Sequence, residues 1–220
     1  MAERTMNLNL DWLRNKDVLL ATGIIAVVAM LVIPLPTFLL DFLMAVSVMT
    51  GMLTLMIVMF VPRSYDFTVF PALLLLTTVF RLALNVSSTR LILMQGQAFD
   101  GKIIRTFGEF VVGGNYVIGF LIFIILVAVQ FIVITKGSTR TAEVAARFAL
   151  DALPGKQMMI EADFSSGAIT EEEKNKRFQE LRQETDFYGQ MDGASKFVQG
   201  DVKVGIFITV VNLVAGFVIG

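Results

Sequence analysis

The sequence predicts an all-α integral membrane protein with at least five transmembrane helices and a small helical cytoplasmic loop domain. Three observations predict it. Of the 220 residues, 55% are hydrophobic and 17% charged, against roughly 45–50% and about 25% in an average soluble domain. The apolar residues are clumped into four long runs and a fifth at the C-terminal end, which is the pattern of membrane spans. Lys and Arg collect on one side of those runs.

The elements follow in order. Residues 1–17 form a polar segment of mixed charge, expected in the cytoplasm. The apolar run after it lacks a small-residue cleavage site and ends at Pro34, so it is expected to be a retained span. The first span is 18–35 and the second 38–61. Pro34 and Pro36 break the helix between them and leave only a short hairpin. The third span, 67–93, is apolar up to Phe80 and then carries Arg81 and Asn85. The fourth is 111–135, with Gly113-Gly114-Asn115 at its start marking a bend. A cytoplasmic loop fills 136–201, and a fifth span, 202–220, is still apolar at Gly220.

Orientation follows from the cations. With the N-terminus inside, the inner segments hold Arg4, Arg14, Lys16, Arg63 and ten more between Lys136 and Lys203. The outer segments hold three, Arg90, Lys102 and Arg105. Fourteen against three puts the N-terminus and the 136–201 loop in the cytoplasm.

Within that loop, Thr141–Leu153 reads as a helix with Val144 and Phe148 one turn apart, ended by Pro154-Gly155. Thr170 and Glu173 fit a capping box. The helix they open carries Phe178, Leu181 and Tyr188 on roughly one stripe. So small an apolar stripe needs a partner surface, and neighbouring subunits are expected to supply it.

Several function classes drop out. A net charge of −1 offers no basic footprint for nucleic acid. There is no Cys and no His, which removes disulfides, thiolate chemistry and Cys/His zinc sites. No GxxxxGK[ST], HExxH or GxSxG occurs, so neither an enzyme nor a cofactor or metal site is expected. A proton relay without imidazole must use carboxylates, water, or groups that orient them.

The informative residues are polar groups at membrane depth, where a charge costs about 2.5–3.5 kcal/mol on insertion scales. Arg81 and Asn85 share one helix face, which Ser88 extends. Arg81 reads either as a functional charge or as a buried ion pair or carbonyl clamp. Arg90, nine residues on, turns to the other side and reads equally as a snorkelling boundary residue. Asp41 sits near the start of span two, where the helix dipole would favour a carboxylate. Asp201 opens span five, five residues after Lys196; a helix cap and a functional carboxylate both remain open for it. Ser47 and Gly51, and likewise Asn212, Gly216 and Gly220, have the spacing of small-residue helix packing.

Three blocks carry a resemblance. The stretch RLALNVSSTR from Arg81 to Arg90, the loop Gly137–Gly167 with ARFALDALPGKQMMIEAD, and DFYGQMDGASKFVQGD at 186–201 resemble the FHIPEP family, in its order and over essentially the whole chain. The signature residues are Arg81, Asn85, Thr89, Arg90, Pro154, Gly155 and Lys156. The resemblance implies a homo-oligomeric ring in the bacterial inner membrane, among the lipids at the base of a flagellum or injectisome. It implies the export gate proteins FlhB, FliP, FliQ and FliR as partners, and coupling of the proton- or sodium-motive force to secretion. Its ion-coupling positions carry over onto Asp41, Arg81, Arg90, Lys196 and Asp201, with Asn85 beside them. The wording ARFALDALPGKQ leans to the flagellar branch; injectisome relatives tend toward a serine there.

Two departures stand out. Family members resemble one another over eight spans and a large soluble C-terminal domain that docks chaperones and substrates, so this chain is expected to be a fragment or truncated product. Lys203 follows Asp201 where relatives usually look small or apolar. Two other readings compete with ion-coupled export. One is a structural ring scaffold. The other is an independent secondary transporter, disfavoured because no paired repeat with broken helices occurs.

The charge asymmetry makes topology testable in this cysteine-free chain. Thr170→Cys should be shielded from an impermeant thiol reagent applied outside intact cells, and Thr37→Cys should react; labelling at 170 from outside would overturn the orientation.

Overall fold

The computed structural model describes residues 16–219, and the expected cytoplasmic segment lies almost wholly outside them. Every regular element among the described residues is helical. They are α1 (Lys16–Val32), α2 (Thr37–Phe60), α3 (Phe70–Gln95), α4 (Lys102–Val112), α5 (Tyr116–Val129), α6 (Thr139–Asp151), α7 (Leu153–Ser165) and α8 (Glu171–Ile219). Wider π-helical turns over Gln130–Ser138 join α5 to α6.

Proline and glycine chemistry sets the breaks. Between α1 and α2 lie Pro34 and Pro36; Pro36 stands extended before the first turn of α2, with φ −65° and ψ 146°. Pro71 sits in the first turn of α3, where its missing N–H is not needed. Gly113 and Gly114 take φ of +56° and +77°, a region that costs other residues strain. Asn115 then caps α5, its side chain accepting from the N–H groups of Val117 and Ile118.

Three helices, at Thr37–Phe60, Phe70–Gln95 and within α8, are long and apolar enough to cross a membrane. A fourth span results if the bent pair Lys102–Val112 and Val117–Val133 is taken as one. Among the described residues three or four helices therefore qualify as spans, and the expected minimum of five goes slightly beyond that. The described part of α1 has 17 residues, fewer than the roughly 20 that a ~30 Å core needs. The fourth apolar run does not extend back through residue 111, because the two glycines turn the chain by 103°. The segment before the turn forms α4, an amphipathic helix absent from the sequence reading.

α3 is the central helix and packs most extensively against α8, then against α1 and α2. Leu40, Leu84 and Leu91 are buried between α2 and α3, with Met30, Phe80, Phe99 and Ile104 closing around them. The rest of the apolar membrane surface faces outward, as a lipid-facing bundle requires.

α8 differs most from the sequence reading. No helix break marks the expected boundary at 201–202; one helix of 49 residues runs from the loop into the last apolar run. Thr170 caps it, its hydroxyl accepting from the Glu173 N–H at 3.3 Å. The return half of the expected box is missing, because the Glu173 carboxylate pairs with Arg177 at 3.0 Å. Pro154-Gly155 does not end α6 but lies in the first turn of α7, after a turn at Ala152.

The loop helices α6 and α7 pack on α8 of the same chain. They bury little, with Ala146, Ile160, Leu181 and Phe187 inside and Phe148, Met158 and Met159 outward. Residues 139–190 taken alone should therefore show no cooperative thermal transition by circular dichroism. A sharp melt from the isolated monomeric segment would contradict this.

Candidate functional site

The polar residues at membrane depth are distributed by α3. One face of it meets α8. There the Arg81 guanidinium donates to Asp201 Oδ2 at 3.0 Å. The two partners are unequally buried: the Asp201 side chain is 8% exposed and that of Arg81 53%. Asp201 is thus enclosed, while Arg81 keeps donors free to face a groove of about 550 Å³ between α2, α3 and α8. Ser47, Gly51, Thr54, Thr77 and Thr78 line that groove with Arg81. A side-chain carbon added at Gly51 would meet nothing within 4 Å, so this small-residue stripe stays open instead of packing within the chain.

Asp201 is not a helix cap. It lies thirty residues inside α8, where every neighbouring backbone N–H is already in the helix ladder. The pair with Arg81 explains how a carboxylate is tolerated there. Lys196 does not reach it: its ammonium bonds to Asp192 Oδ2 at 2.6 Å, one turn earlier, and that hydrogen bond raises the lysine above its usual range. Five residues turn Lys196 well away from Asp201 around the helix. Lys203 points outward, exposed.

Further along the same interface, Asn212 Nδ2 donates to Thr89 Oγ1 at 2.9 Å. The Thr89 hydroxyl donates in turn to the Asn85 carbonyl at 2.7 Å. Ser88 donates to that same carbonyl at 3.0 Å, so the Asn85 backbone is a shared acceptor. Asn212 was read from the sequence only as part of a packing stripe. Its distance of eleven residues from Asp201, three helical turns, was the signal that could have joined them.

The other charged positions clamp the opposite end. Arg90 donates to the Val32 carbonyl at 2.7 Å and to that of Leu31, closing the C-terminus of α1. A cation there satisfies orphan carbonyls and opposes the negative end of the helix dipole. Arg90 thus makes a specific contact at the end of α1. Ser87 ties the same helix through the Met30 carbonyl at 2.7 Å. Asp41 lies in the second turn of α2, yet it serves another helix. Its two oxygens accept from the N–H groups of Lys102 at 2.9 Å and Ile103 at 3.2 Å, at the start of α4. The α2 dipole is not what holds it.

In the loop, Lys156 forms a forked contact with Glu184, at 2.8 and 2.7 Å. Lys174 with Glu161 at 2.8 Å and Arg177 with Asp163 at 3.1 Å continue this ladder between α7 and α8. Each is partly exposed and worth no more than about 1 kcal/mol; together they set the register of α7 on α8. The candidates thus separate into an inner set (Arg81, Asp201, Asn85), an outer pair of clamps (Asp41, Arg90), and Lys196 by itself.

The comparisons agree on a family. The FHIPEP family model matches residues 27–220. The chain is 57% identical over 213 residues to the "Flagellar biosynthesis protein FlhA" of Borreliella burgdorferi, covering 94% of this chain and 31% of that protein. It is 55% identical to the protein of that name from Treponema pallidum, over 93% of this chain and 29% of the relative. With the one from Salmonella typhimurium it shares 53% identity, over 90% and 29%. The chain thus spans under a third of the length of these curated relatives. No solved structure matches.

Asp41 offers a direct test of clamp against ion carrier. Asn caps a helix about as well as Asp, and Ala does not, at a cost near 1 kcal/mol. Asp41→Asn, which keeps one of the two acceptor oxygens, should retain most of the protease protection of the Lys102–Val112 segment in membranes, and Asp41→Ala should lower it further. Equal loss of protection in both would mean that the charge, not the cap, matters.

Proposed function

The chain belongs to the FHIPEP family, and from that membership we propose that it is the membrane-embedded part of a flagellar protein-export gate. In this reading it couples the proton- or sodium-motive force to secretion of flagellar subunits. It lies in the bacterial inner membrane as a multi-pass protein with its N-terminus in the cytoplasm. Copies assemble as a ring beside FlhB, FliP, FliQ and FliR, and it performs no enzymatic chemistry of its own.

The observation that carries the reading is the Arg81–Asp201 pair. A carboxylate enclosed at the α3–α8 interface is bonded through one oxygen to an arginine whose other donors open onto a groove. Such a pair has two stable arrangements, closed on itself or opened by a proton or cation on the carboxylate. Opening it would loosen α8 from α3. Because α8 is continuous with the loop helix, that loosening reaches the cytoplasmic side without a hinge. The chain contains no histidine, so Asp201 is the titratable group best placed for the task.

A scaffold role for the same pair is the competing outcome, and one substitution separates them. Asp201→Asn keeps size and hydrogen bonding to Arg81 but cannot ionise. Placed in a full-length flagellar relative, it should insert and assemble normally while secretion falls to near zero, read as flagellar subunits in the medium. Wild-type secretion would remove ion coupling from Asp201. Loss of assembly would make the pair a scaffold.

A further inference from the structure

A second buried acceptor lies on the stripe of α8 that carries Asp201. Eleven residues separate Asp201 from Asn212, three turns of helix, so both lie on one face and ~16 Å apart along the axis. Asn212 uses its amide N–H on Thr89. Its Oδ1 is buried and accepts no hydrogen bond from the protein, and the same is true of Asp201 Oδ1. Buried acceptors are nearly always satisfied, and inside an apolar span no bulk water does this.

What stands between the two is permissive. Gly205 is one turn above Asp201 on the same stripe, and a side-chain carbon there would meet nothing within 4 Å. Ile208 follows, half-buried, and then Asn212. On α3, Asn85 and Ser88 lie between Arg81 and Thr89 at half-buried positions. The seam therefore has an acceptor at each end, open space above the lower one and polar residues along its wall. Water fits these features, since it can donate to an amide oxygen and to a carboxylate oxygen in turn.

We propose that the α3–α8 seam from Asp201 to Asn212 is hydrated, with Asn212 Oδ1 as a second oxygen that holds water or an alkali cation on its way to or from Asp201. The transport role of that cation rests on the reading of Asp201 given above; the hydration does not. The alternative is a dry hydrogen bond in which Asn212 and Thr89 only glue two helices.

The cysteine-free chain makes hydration measurable. Single cysteines at Gly205→Cys and Asn212→Cys, with Val210→Cys and Val214→Cys on the opposite, exposed face, are placed in the chain in membranes. A charged, water-soluble methanethiosulfonate reagent reacts with the thiolate, which forms only where water reaches. The seam positions should react at least about tenfold faster than the two valine positions. Equal, slow reaction at all four would show a dry seam and overturn the proposal. A second arm uses a full-length relative. Asn212→Leu should abolish secretion, and Thr89→Val, which removes the interhelical bond but leaves Oδ1, should retain most of it. Equal loss in both would make Asn212 glue and overturn its role as the second oxygen. Fast labelling of the seam with wild-type secretion by Asp201→Asn would sink ion coupling at Asp201 while upholding the hydrated seam.

Discussion

A carboxylate enclosed within an apolar helix is tolerable only when a cation meets it, and this constraint orders the membrane half of the chain. Asp201 is enclosed, so Arg81 must be within reach, and α3 must lie beside α8 with the two running in the same direction. That placement brings Asn212 to Thr89 three turns on. It leaves the other sides of α3 to α1 and α2. Pairing of this kind adds little net stability relative to an apolar interface, but breaking one partner leaves an unmatched charge. The arrangement therefore specifies which helix goes where more than it strengthens the bundle.

The signature from Arg81 to Arg90 works as a distributor because of the helical period. Arg81 and Thr89 address α8, Ser87 and Arg90 address α1, and Leu84 and Leu91 fill the core toward α2. Asp41 adds the last tie by capping α4, which holds the amphipathic segment beside α2. The family's charged positions thus do different mechanical work. Those on the α1 and α4 side satisfy backbone groups at helix ends, and the inner pair joins Arg81 to one Asp201 oxygen while the other accepts no hydrogen bond from the protein.

α8 joins the two halves. A helix of 49 residues is about 73 Å long, so the loop helices docked by Lys156, Lys174 and Arg177 share one rod with Asp201. Continuous hydrogen bonding gives such a rod no preferred hinge. The loop helices α6 and α7 and the Arg81–Asp201 pair therefore sit along one continuous helix.

The sequence by itself determined the helical class, the apolar runs, and the breaks at Pro34, Pro36 and Gly113-Gly114, because local sterics and transfer energy act on neighbouring residues. It also marked Arg81, Asn85 and Asp201 as polar groups in the wrong solvent. It could not show that Asp201 sits mid-helix: Gly200 beside an aspartate looks like a cap, and only the tertiary structure, with α3 packed along α8, shows the helix running through it. Nor could it show α4, whose apolar residues ran on into the next span until the glycines turned the chain. The partners of Asp41, Arg90, Lys156 and Asn212 lie 28 to 123 residues away in the chain. Contacts of that separation are decided by which helix faces pack together, and no single helix carries that information.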